Sequence, residues 1–462
     1  MMEKYDPLER PLEGRIKTLF HEQQMSLVIV DDDPTGTQTA HDVPVLGDWS
    51  ADAFIHEFNL KTPLFFVLAN TRSLPKEAAT SRANEIGQNL RKASMITGRK
   101  FMIVSRSDST LRGYFPSEVI ALSQSAGIGN MPVFLTPAFF EGGRITENNV
   151  HYIMEGEKKI PVAETVFAQD KSFGYVNSDL TKWIEEKSLG SIKQQDVKSL
   201  SLEDIHAGVE VISERLNALQ PNDIMVINSR SYRDLEMTCL AIHALIKEGK
   251  GFNFRTAASF VSAFAGIAAK SWKPKNVSGA SKGGLTIVGS YIKKSTSQLE
   301  LLLEKEGVLP ISISVDSIVN DSGTIETYMN VLVEKIEKEL KKGIDVVVYT
   351  SRELISGANA EESLAIGEKV TSFLVQLVAN INFQPAFIIA KGGITSNDIA
   401  VKGLGMKRAI VLGQVIPGVP VWELGEETRF PETPYVVFPG NVGDEKSLAQ
   451  VYDLFIDNKM GG

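Results

Sequence analysis

The stretch SLVIVDDDPTGT, residues 26–37, decides both the fold that we predict and the place where we look for a site. Its first five residues form a short apolar run rich in β-branched side chains, which is typical of a strand buried on both faces of a sheet. Three consecutive acids follow (residues 31–33), and Pro34 and Gly36 then force a turn. Because ligands of α/β sheets bind where the strands end, this pattern predicts a polar site that includes Thr35. An acidic surface turn that caps the next helix explains the stretch equally well.

The length and composition of the chain predict a soluble protein with more than one domain. Its 462 residues exceed what one hydrophobic core usually supports, so we expect two domains, and three remain open. A content of 43% hydrophobic and 23% charged residues is typical of soluble globular proteins. The formal net charge of -9 argues against a surface that binds nucleic acid.

The cysteine content and the hydropathy of the chain indicate the cellular compartment in which we expect the protein. Cys239 is the single cysteine, which excludes an intrachain disulfide and any zinc site built on several thiolates. A reducing cytoplasm fits this composition. Residues 1–17 carry charges throughout, and no stretch reaches the ~18 uninterrupted apolar residues that a membrane span requires. We therefore expect a cytoplasmic protein that has no signal peptide and does not associate with a membrane.

Strand-like and helix-like stretches alternate along the chain, which predicts two α/β domains with mainly parallel sheets. A segment rich in Pro, Gly, Ser and Lys (residues 271–284) interrupts the pattern, and we predict it to be the linker between a domain at residues 1–270 and another at residues 285–462. The predicted strands are residues 26–30, 64–69, 101–104, 133–135, 223–228, 285–288, 311–315, 345–350, 386–390, 409–412 and 435–438. The predicted helices include residues 76–97, 202–219, 296–306, 324–342 and 361–379.

Polar side chains follow two further strands of the first domain. One of these strands leads into residues 70–73, which include Arg72, and the other leads into residues 105–113, which include Asp108 and Arg112. Arginine presents a planar fork that holds a carboxylate through two parallel hydrogen bonds, while Asp, Ser, Thr and Asn suit the hydroxyls of a small polyol. The set therefore predicts a site for a hydroxylated carboxylic acid. For Asp108 and Arg112, a local salt bridge at the start of a helix is an equally good explanation.

The loop at residues 136–144 is a further candidate in the first domain. Gly142 and Gly143 permit close approach of the backbone to a ligand, and Arg144 offers a second cationic contact, although a surface hairpin fits the same residues. His151 lies just beyond the loop and is one of six histidines, none of which is spaced as a metal-binding pair. We interpret this lone histidine as a structural residue.

Glycine-rich loops follow the strands of the second domain. The strand at residues 386–390 leads through Gly392 and Gly393 into hydroxyl residues and a helix, and unpaired amides in such a turn can cradle a phosphate. The turn at residues 289–294 is of the same kind, but it lacks the second glycine before lysine that a Walker A motif requires. Two more loops at strand ends are residues 413–420 and 439–444. None of these loops reads G-x-G-x-x-G, which counts against a nicotinamide dinucleotide site.

Five motifs occur along nearly the whole chain. They are Asp-Asp-x-Thr-Gly at residues 32–36, Asp-Ser-Thr-Leu-Arg-Gly at 108–113, Gly-Gly-x-Thr-Ser at 392–396, Pro-Gly-Val-Pro at 417–420 and Gly-Asn-x-Gly at 440–443. As a set, and in this order, they resemble the four-carbon acid sugar kinases. That family, long carried as a domain of unknown function, phosphorylates compounds such as threonate, erythronate and 3-oxo-tetronate with ATP. The resemblance implies an N-terminal domain that binds the acid sugar, a C-terminal domain that binds the nucleotide, and an active site in the cleft between them.

The resemblance also implies which residues bind each ligand. Those expected to bind the sugar acid are Asp32, Asp33, Thr35, Arg72, Asp108, Ser109 and Arg112. Those expected to bind ATP are Ser290, Gly392, Gly393, Ile394, Thr395, Ser396, Gly440 and Asn441. Mg²⁺ is expected with ATP, and we predict no protein residue as a metal ligand. The first motif departs from the usual form of the family at Pro34 and Thr37, where the family commonly has an apolar residue and alanine, so the identity of the sugar acid does not carry over.

Phosphoryl transfer needs the acceptor hydroxyl in line with the γ-phosphate and a carboxylate within hydrogen-bond reach of that hydroxyl. We predict Asp33 or Asp32 as the base and Arg72 with Arg112 as the group that holds the substrate carboxylate, and the family implies the terminal 4-hydroxyl as acceptor. Two alternatives stay open, a non-catalytic sensor of sugar acid and nucleotide, and a dehydrogenase or epimerase of hydroxy acids. The stereochemistry of the acid, and whether the chain is a monomer or a homodimer, also stay open.

Overall fold

The computed structural model describes residues 6–33, 35–268, 270–274, 282–289, 293–320, 325–351, 360–440 and 442–460. In these ranges the strands are β1 (Ser26–Asp31), β2 (Val43–Leu46), β3 (Leu64–Leu68), β4 (Phe101–Arg106), β5 (Val133–Thr136), β6 (Arg144–Glu147), β7 (Val150–Glu155), β8 (Lys158–Pro161), β9 (Lys198–Leu200), β10 (Ile224–Ile227), β11 (Asn253–Thr256), β12 (Leu285–Val288), β13 (Val308–Ile313), β14 (Asp345–Thr350), β15 (Ile388–Lys391), β16 (Arg408–Ile416), β17 (Val419–Leu424) and β18 (Pro434–Phe438).

The helices follow the strands in alternation over most of the chain, and their bounds complete the order of elements. They are α1 (Glu13–Glu22), α2 (Ala51–Asn59), α3 (Lys76–Thr97), α4 (Ser117–Ser125), α5 (Leu180–Lys187), α6 (Leu202–Ala207), α7 (Val209–Asn217), α8 (Tyr232–Lys247), α9 (Ala258–Ala265), α10 (Lys293–Leu303), α11 (Val315–Asn320), α12 (Ile325–Leu340), α13 (Ala360–Asn380), α14 (Gly393–Asp398) and α15 (Ser447–Met460). Among the described residues, no helix combines the length and the apolar character needed to cross a bilayer.

The chain divides into two compact units. The N-terminal unit comprises Met1–Ala40 and Asp48–Ala268, and the C-terminal unit comprises His41–Gly47 and Ala269–Gly462. The short segment from the N-terminal half joins the C-terminal unit because β2 pairs antiparallel with β16. The two-domain α/β architecture predicted from the alternating pattern is confirmed.

The N-terminal unit is built on a parallel sheet with the strand order β3-β1-β4-β11-β5-β10-β9. Every residue of β1 is buried, as expected for a strand covered on both faces. The chain runs from β1 to β3 on one side and then crosses to β4 on the other, so β1 lies at the point where the direction of winding reverses. Asp31, its last residue, lies opposite Leu68 on β3 and Arg106 on β4. This is the position at which open α/β sheets bind ligands.

A separate antiparallel sheet of β6, β7 and β8 follows β5 in this unit. Residues 139–144 therefore form a turn that leads into β6, where Phe139 and Arg144 pair across an isolated bridge. A hydrophobic cluster lies nearby, in which the ring of Phe115 stacks on that of Trp183 at a centroid distance of 5.1 Å. This cluster supports the loop that follows β4, since Leu111 is one of its buried members.

The C-terminal unit has a sheet with the order β13-β14-β12-β15-β18-β17-β16-β2, parallel through β18 and antiparallel beyond it. Here β12 lies between β14 and β15, and β15 lies between β12 and β18. Lys391, the last residue of β15, is opposite both Val288 on β12 and Phe438 on β18. The carboxyl ends of these three parallel strands therefore lie side by side.

Two predicted elements differ in the structure. The predicted helix at residues 202–219 is interrupted at Gly208, whose φ of 117° separates α6 from α7. Residues 413–420, predicted to be a loop at the end of a strand, lie instead in the antiparallel hairpin of β16 and β17, with Gly418 at φ 81° in the turn. Of the predicted linker, Trp272 donates its amide hydrogen to the carbonyl of Gln414 at 2.7 Å, and residues 275–281 lie outside the described ranges.

Candidate functional site

Asp31 is the first of the three acids at the end of β1, and it is a structural residue of the turn. Its carboxylate is fully buried and accepts a hydrogen bond from Arg106 Nη1 at 3.2 Å and another from the backbone amide of Asp33 at 3.1 Å. Burial raises its pKa to about 6, and the charge of Arg106 opposes that rise. A side chain at Gly36 would collide with this carboxylate, so the turn closes only around glycine.

Asp33 is ion-paired. Its carboxylate accepts hydrogen bonds from Arg72 Nη2, from the hydroxyl of Thr35 and from the amide of Thr35 at 2.8 Å. Burial works against ionisation, but the Arg72 charge and the Thr35 hydrogen bonds prevail and lower the pKa of Asp33 below its ordinary value. Asp33 is therefore ionised at neutral pH and is a weak base.

Asp32, between these two, has a different environment. It is 2% exposed, and neither of its carboxylate oxygens accepts a hydrogen bond from any described residue. Burial raises its pKa to about 7, although the guanidinium groups of Arg72 and Arg255 oppose the rise. The backbone comes close to it at Gly113, where φ is 123° and a Cβ atom would lie 3.1 Å from Asp32 Oδ2 and 2.7 Å from Arg255 Nη2.

A small cavity with both polar and apolar lining lies against Asp32 within the N-terminal unit. Its volume is about 10 Å³, close to the least that can hold one water molecule. Thr71, Arg106 and Glu118 line it together with Asp32. Glu118 accepts hydrogen bonds from the hydroxyl of Thr71 and, at 3.2 Å, from the amide of Tyr114. On the side of this cavity, Asp32 therefore faces polar groups as well as apolar side chains.

Asp108 connects two arginines of the predicted site. Arg72 Nη1 lies 3.1 Å from Asp108 Oδ1, and Arg112 Nε lies 2.8 Å from Oδ2. Burial disfavours the charge, but Arg72 and Arg112 hold the pKa of Asp108 well below its ordinary value. The local salt bridge suggested by the spacing of Asp108 and Arg112 is present, and Arg72 joins it from the loop after β3 while also bridging to Asp33.

The loop after β4 is held by hydrogen bonds to its backbone carbonyls. His151 is fully buried, and its Nε2 donates to the carbonyl of Ser109 at 2.8 Å while its Nδ1 accepts from Thr146 Oγ1 at 2.9 Å. Burial lowers the pKa of His151 to about 4, so the ring stays neutral near pH 7. The hydroxyl of Tyr175 donates to the carbonyl of Thr110 at 2.7 Å. These contacts fix the backbone that carries Asp108 and Arg112.

Arg144 extends the cluster of arginines from the start of β6. Its Nη1 donates to the carbonyl of Gly142, and its guanidinium carbon lies 6.0 Å from the centroid of the Phe139 ring. Burial lowers its pKa, while the nearby charge of Asp108 acts in the opposite direction. Arg144 is therefore within electrostatic reach of Asp108.

Arg255 is a site residue that the sequence did not reveal. It lies on β11, is 3% exposed, and its Nη1 donates to Ser105 Oγ at 3.1 Å. Its strand reads NFRT and has no apolar run, so hydrophobic patterning does not predict a strand there. The signal that could have found it is an arginine flanked by β-formers within a short buried stretch.

The predicted nucleotide residues lie at the ends of β12, β15 and β18. Gly289, after β12, packs against Thr395, since a Cβ atom there would lie 2.8 Å from Thr395 Oγ1. Gly392 has φ 119° and donates its amide hydrogen to the carbonyl of Phe438 at 2.9 Å, which places the loop after β15 beside the loop after β18. Ser290 and Asn441 lie outside the described residues.

Two of the predicted hydroxyl residues are buried in the helix that follows β15. Thr395 and Ser396 are 8% and 0% exposed, whereas Ile394 is 52% exposed. Ser396 Oγ donates to the carbonyl of Gly393 at 2.9 Å, and its own carbonyl accepts from the hydroxyl of Tyr435 at 2.6 Å. The side chain of Ser396 therefore stabilises the turn, while Ile394 is exposed and Gly393 and Gly440 are partly exposed.

The described residues hold no group of three or more His, Cys, Asp or Glu side chains arranged to bind a metal ion. Mg²⁺ in nucleotide sites is commonly held by phosphate oxygens and water with one or two carboxylates. Asp31, Asp33 and Asp108 are engaged by arginines, whereas one oxygen of Asp31 and both oxygens of Asp32 accept no hydrogen bond from the described residues. The carboxylates of this cluster therefore fit the sparse mode of binding and not a site built on several protein ligands.

Comparisons with known proteins agree with this division into two functional units. Residues 27–264 match the model of a sugar-binding N-terminal domain, and residues 285–448 match the model of a nucleotide-binding C-terminal domain. No curated protein matches the chain significantly.

Two solved structures share the fold. One, from Salmonella typhimurium LT2, carries the provisional description of a tRNA synthase, is 15% identical with a TM-score of 0.67, and aligns over 92% of this chain and 98% of its own. The other is Haemophilus influenzae protein HI1011, of the family model DUF1537, which is 16% identical with a TM-score of 0.62 and aligns over 93% of this chain and 100% of its own. With both domain models matched in order, the chain belongs to the family in which a sugar-binding N-terminal domain is joined to a nucleotide-binding C-terminal domain, the architecture of the four-carbon acid sugar kinases.

Proposed function

We propose that the protein is an ATP-dependent kinase that phosphorylates a hydroxyl group, the terminal 4-hydroxyl, of a four-carbon sugar acid such as threonate, erythronate or 3-oxo-tetronate. One observation carries the proposal. Within the sugar-binding domain, Asp32 is a buried carboxylate that accepts no hydrogen bond from the described part of the chain, and it lies at the reversal point of a parallel sheet near Arg72 and Arg255.

Asp32 is the base in this proposal, in preference to Asp33. A general base works best when its pKa lies near the working pH, and burial brings the pKa of Asp32 to about 7. Asp33 has a lowered pKa and its oxygens are already bonded to Arg72 and Thr35. Asp33 is instead the group that orients Arg72.

Arg72 and Arg112 hold the carboxylate of the substrate. Both guanidinium groups converge on Asp108, and Arg112 keeps donors that Asp108 does not use, so a second carboxylate can be bound through the planar fork. The hydroxyls of the acid are then bound by the neighbouring polar side chains, which are Asp33, Thr35, Asp108 and Ser109. With the carboxylate fixed in this way, a four-carbon chain presents its far hydroxyl to Asp32.

ATP binds at the carboxyl ends of β12, β15 and β18, with its phosphates against the Gly392–Gly393 turn and the loop at Gly440. Mg²⁺ supplies charge neutralisation on the phosphates when it is bound. The substrate hydroxyl oxygen attacks the γ-phosphorus, its proton passes to Asp32, and the bond from phosphorus to the bridging oxygen of ADP breaks. The products are the phosphorylated acid and ADP.

The test is coupled ADP release with Mg-ATP against D- and L-threonate, D- and L-erythronate, 3-oxo-tetronate and 4-hydroxythreonine, with acids of three, five and six carbons as controls. We expect one four-carbon acid to turn over far faster than all others. ADP release that no acid accelerates, from protein that still binds ATP and an acid in a thermal-shift assay, would refute the kinase and favour a sensor. A thermal shift with NAD in place of ATP would favour the dehydrogenase.

A further inference from the structure

Lys391, the last residue of β15, is a buried lysine at the edge of the predicted phosphate site. It is 0% exposed, and its Nζ donates to the carbonyl of Pro439 at 2.9 Å and to the carbonyl of Gly440 at 3.4 Å. The same nitrogen lies 4.1 Å from the centroid of the Phe438 ring, within the range of a cation–π interaction. Lysine is almost never fully buried unless its charge is compensated, so this position calls for an explanation.

The amine of Lys391 connects two neighbouring loops. Lys391 and Phe438 are register partners on the parallel strands β15 and β18, and the amide of Gly392 donates to the carbonyl of Phe438 at 2.9 Å. The side chain of Lys391 then reaches past the end of β18 to the next two carbonyls. The start of the loop after β18 is thereby held against the start of the Gly392–Gly393 turn.

Two further buried side chains also donate hydrogen bonds to backbone carbonyls of the loop after β18. Ser295 Oγ donates to the carbonyl of Gly440 at 3.3 Å, and Gln298 Nε2 donates to the carbonyls of Val442 at 3.1 Å and Asp444 at 2.6 Å. Ser295 and Gln298 are both fully buried on α10. The carbonyls of Gly440, Val442 and Asp444 are therefore directed into the C-terminal unit.

The direction of these carbonyls fixes the direction of the amides. In a trans peptide the C=O of one residue and the N–H of the next point in opposite directions. Because the carbonyls of Pro439 and Val442 point inward, the amides of Gly440 and Gly443 point away from the interior, and neither donates to a backbone acceptor of the described residues. Amides arranged in this way form a concave site for an anion, and Gly443 has the positive φ of 78° that such loops use.

We propose that Lys391 is a positioning residue for the phosphates of the nucleotide: its amine locks the loop after β18 beside the Gly392–Gly393 turn, so that the amides of Gly440 and Gly443 face the phosphates. The inference rests on the proposed function in that it takes a nucleotide to be the ligand of this unit. Lys391 acts through the loop and is not itself required to touch the nucleotide.

The charge of Lys391 gives the inference a signature that a purely structural lysine would not have. Burial lowers its pKa to about 7, and the charge of Lys294 on α10 acts in the same direction. The aromatic ring of Phe438 and the loop carbonyls face it from β18. A bound polyanion stabilises the ammonium form and raises this pKa, so nucleotide binding takes up a proton between about pH 7 and the higher pKa of the complex. Affinity then falls as the pH rises above 7.

The experiment is calorimetric titration of the full chain with Mg-ADP from pH 6.5 to 8.5, in pairs of buffers with different ionisation enthalpies. The variants are Lys391→Met, which keeps the length of the side chain without its charge, and Lys305→Met as the matched control. Lys305 lies just after α10 in the same unit, and its side chain is 38% exposed in a surface pair with Asp453. Thermal unfolding checks that each variant is folded.

We expect the wild-type chain and the Lys305→Met variant to take up a proton near pH 7.5, and the Lys391→Met variant to bind about tenfold more weakly with that uptake lost. If Lys391→Met does not fold, proton uptake by the wild-type chain on binding Mg-ADP still tests the inference. A wild-type chain that takes up no proton would contradict it. Equal affinity and equal proton uptake in Lys391→Met and wild type would overturn the inference and leave the proposed function intact. A wild-type chain that binds no nucleotide would overturn both.

Discussion

Replacing Asp32 with asparagine should abolish most of the activity and at the same time stabilise the fold. Both effects have one physical cause, the burial of a carboxylate that accepts no hydrogen bond from the described residues. In the proposed reaction Asp32 takes the proton of the substrate hydroxyl, and loss of a general base lowers turnover by about two to four orders of magnitude. As a buried charge without hydrogen bonds from the described residues, the ionised carboxylate of Asp32 destabilises the folded state.

The size of the stabilisation follows from the shift of the pKa. Burial raises the pKa of Asp32 from 3.8 to about 7. At ~1.36 kcal/mol per unit, a shift of roughly three units corresponds to ~4 kcal/mol above pH 7, which is an upper value because the asparagine amide also lacks bonding partners. The folded pKa lies above the unfolded one, so the folded state binds more protons between them and stability falls as the pH rises from about 4 to about 7.

The assay is urea unfolding of the wild-type and Asp32→Asn chains at pH 5 and pH 8, combined with ADP release. We expect the variant to be more stable by about 1–4 kcal/mol at pH 8 and by less at pH 5. In the wild type, kcat/KM should fall about tenfold per pH unit below pH 7, because only ionised Asp32 accepts a proton. An Asp32→Asn chain with near-normal turnover, or one less stable than wild type at pH 8, would refute the reasoning.

Three further changes test the surroundings of Asp32. Arg72→Lys keeps the charge but cannot bridge Asp33 and Asp108 at once, so KM for the sugar acid should rise about 10- to 100-fold while the dissociation constant of Mg-ADP stays unchanged. Gly113→Ala places a Cβ atom 2.7 Å from an Arg255 nitrogen at φ 123°, so kcat/KM for the acid should fall at least about tenfold, with unaltered nucleotide binding as the control. His151→Gln should lower stability by about 1–3 kcal/mol but leave the acid limb of the rate profile near pH 7, because the pKa of His151 is about 4; a displaced limb would contradict its structural role.

The parts of the fold that could be predicted are those in which local chemistry and burial agree. β12 and β14 coincide with the predicted strands because their residues are apolar and β-branched and lie between other strands. α3 matches its predicted bounds for a similar reason: Pro75 precedes it and Gly98, at φ 72°, ends it. In each of these elements the sequence contains its own start and stop signals.

The parts that could not be predicted depend on partners far away in the chain. β2 is a strand because it pairs with β16, which lies more than 350 residues further along the chain. The four residues of β2 do not by themselves predict that pairing. β11 carries the buried Arg255, whose charge acts on Asp32, so the rule that buried strands are apolar fails there. The sequence does not distinguish the hairpin of β16 and β17 from a loop at a strand end, because a Pro-Gly turn has the same composition in both settings.

The three acids after β1 show where sequence reasoning stops and why. Their side chains are chemically identical, so sequence alone could bring them to one strand end but could not rank them. Arg106 on β4 neutralises Asp31, and Arg72 from the loop after β3 neutralises Asp33, whereas Asp32 feels two guanidinium groups without bonding to either. Arginines offset the charges of the two outer acids, and burial is then the largest of the effects that raise the pKa of the middle one to about 7, with smaller contributions from the charges of Glu118 and Asp31. Asp32 thus has the pKa that the proposed base needs at neutral pH while the elements on both sides of β1 supply arginines to its neighbours, and that arrangement exists only in the folded sheet.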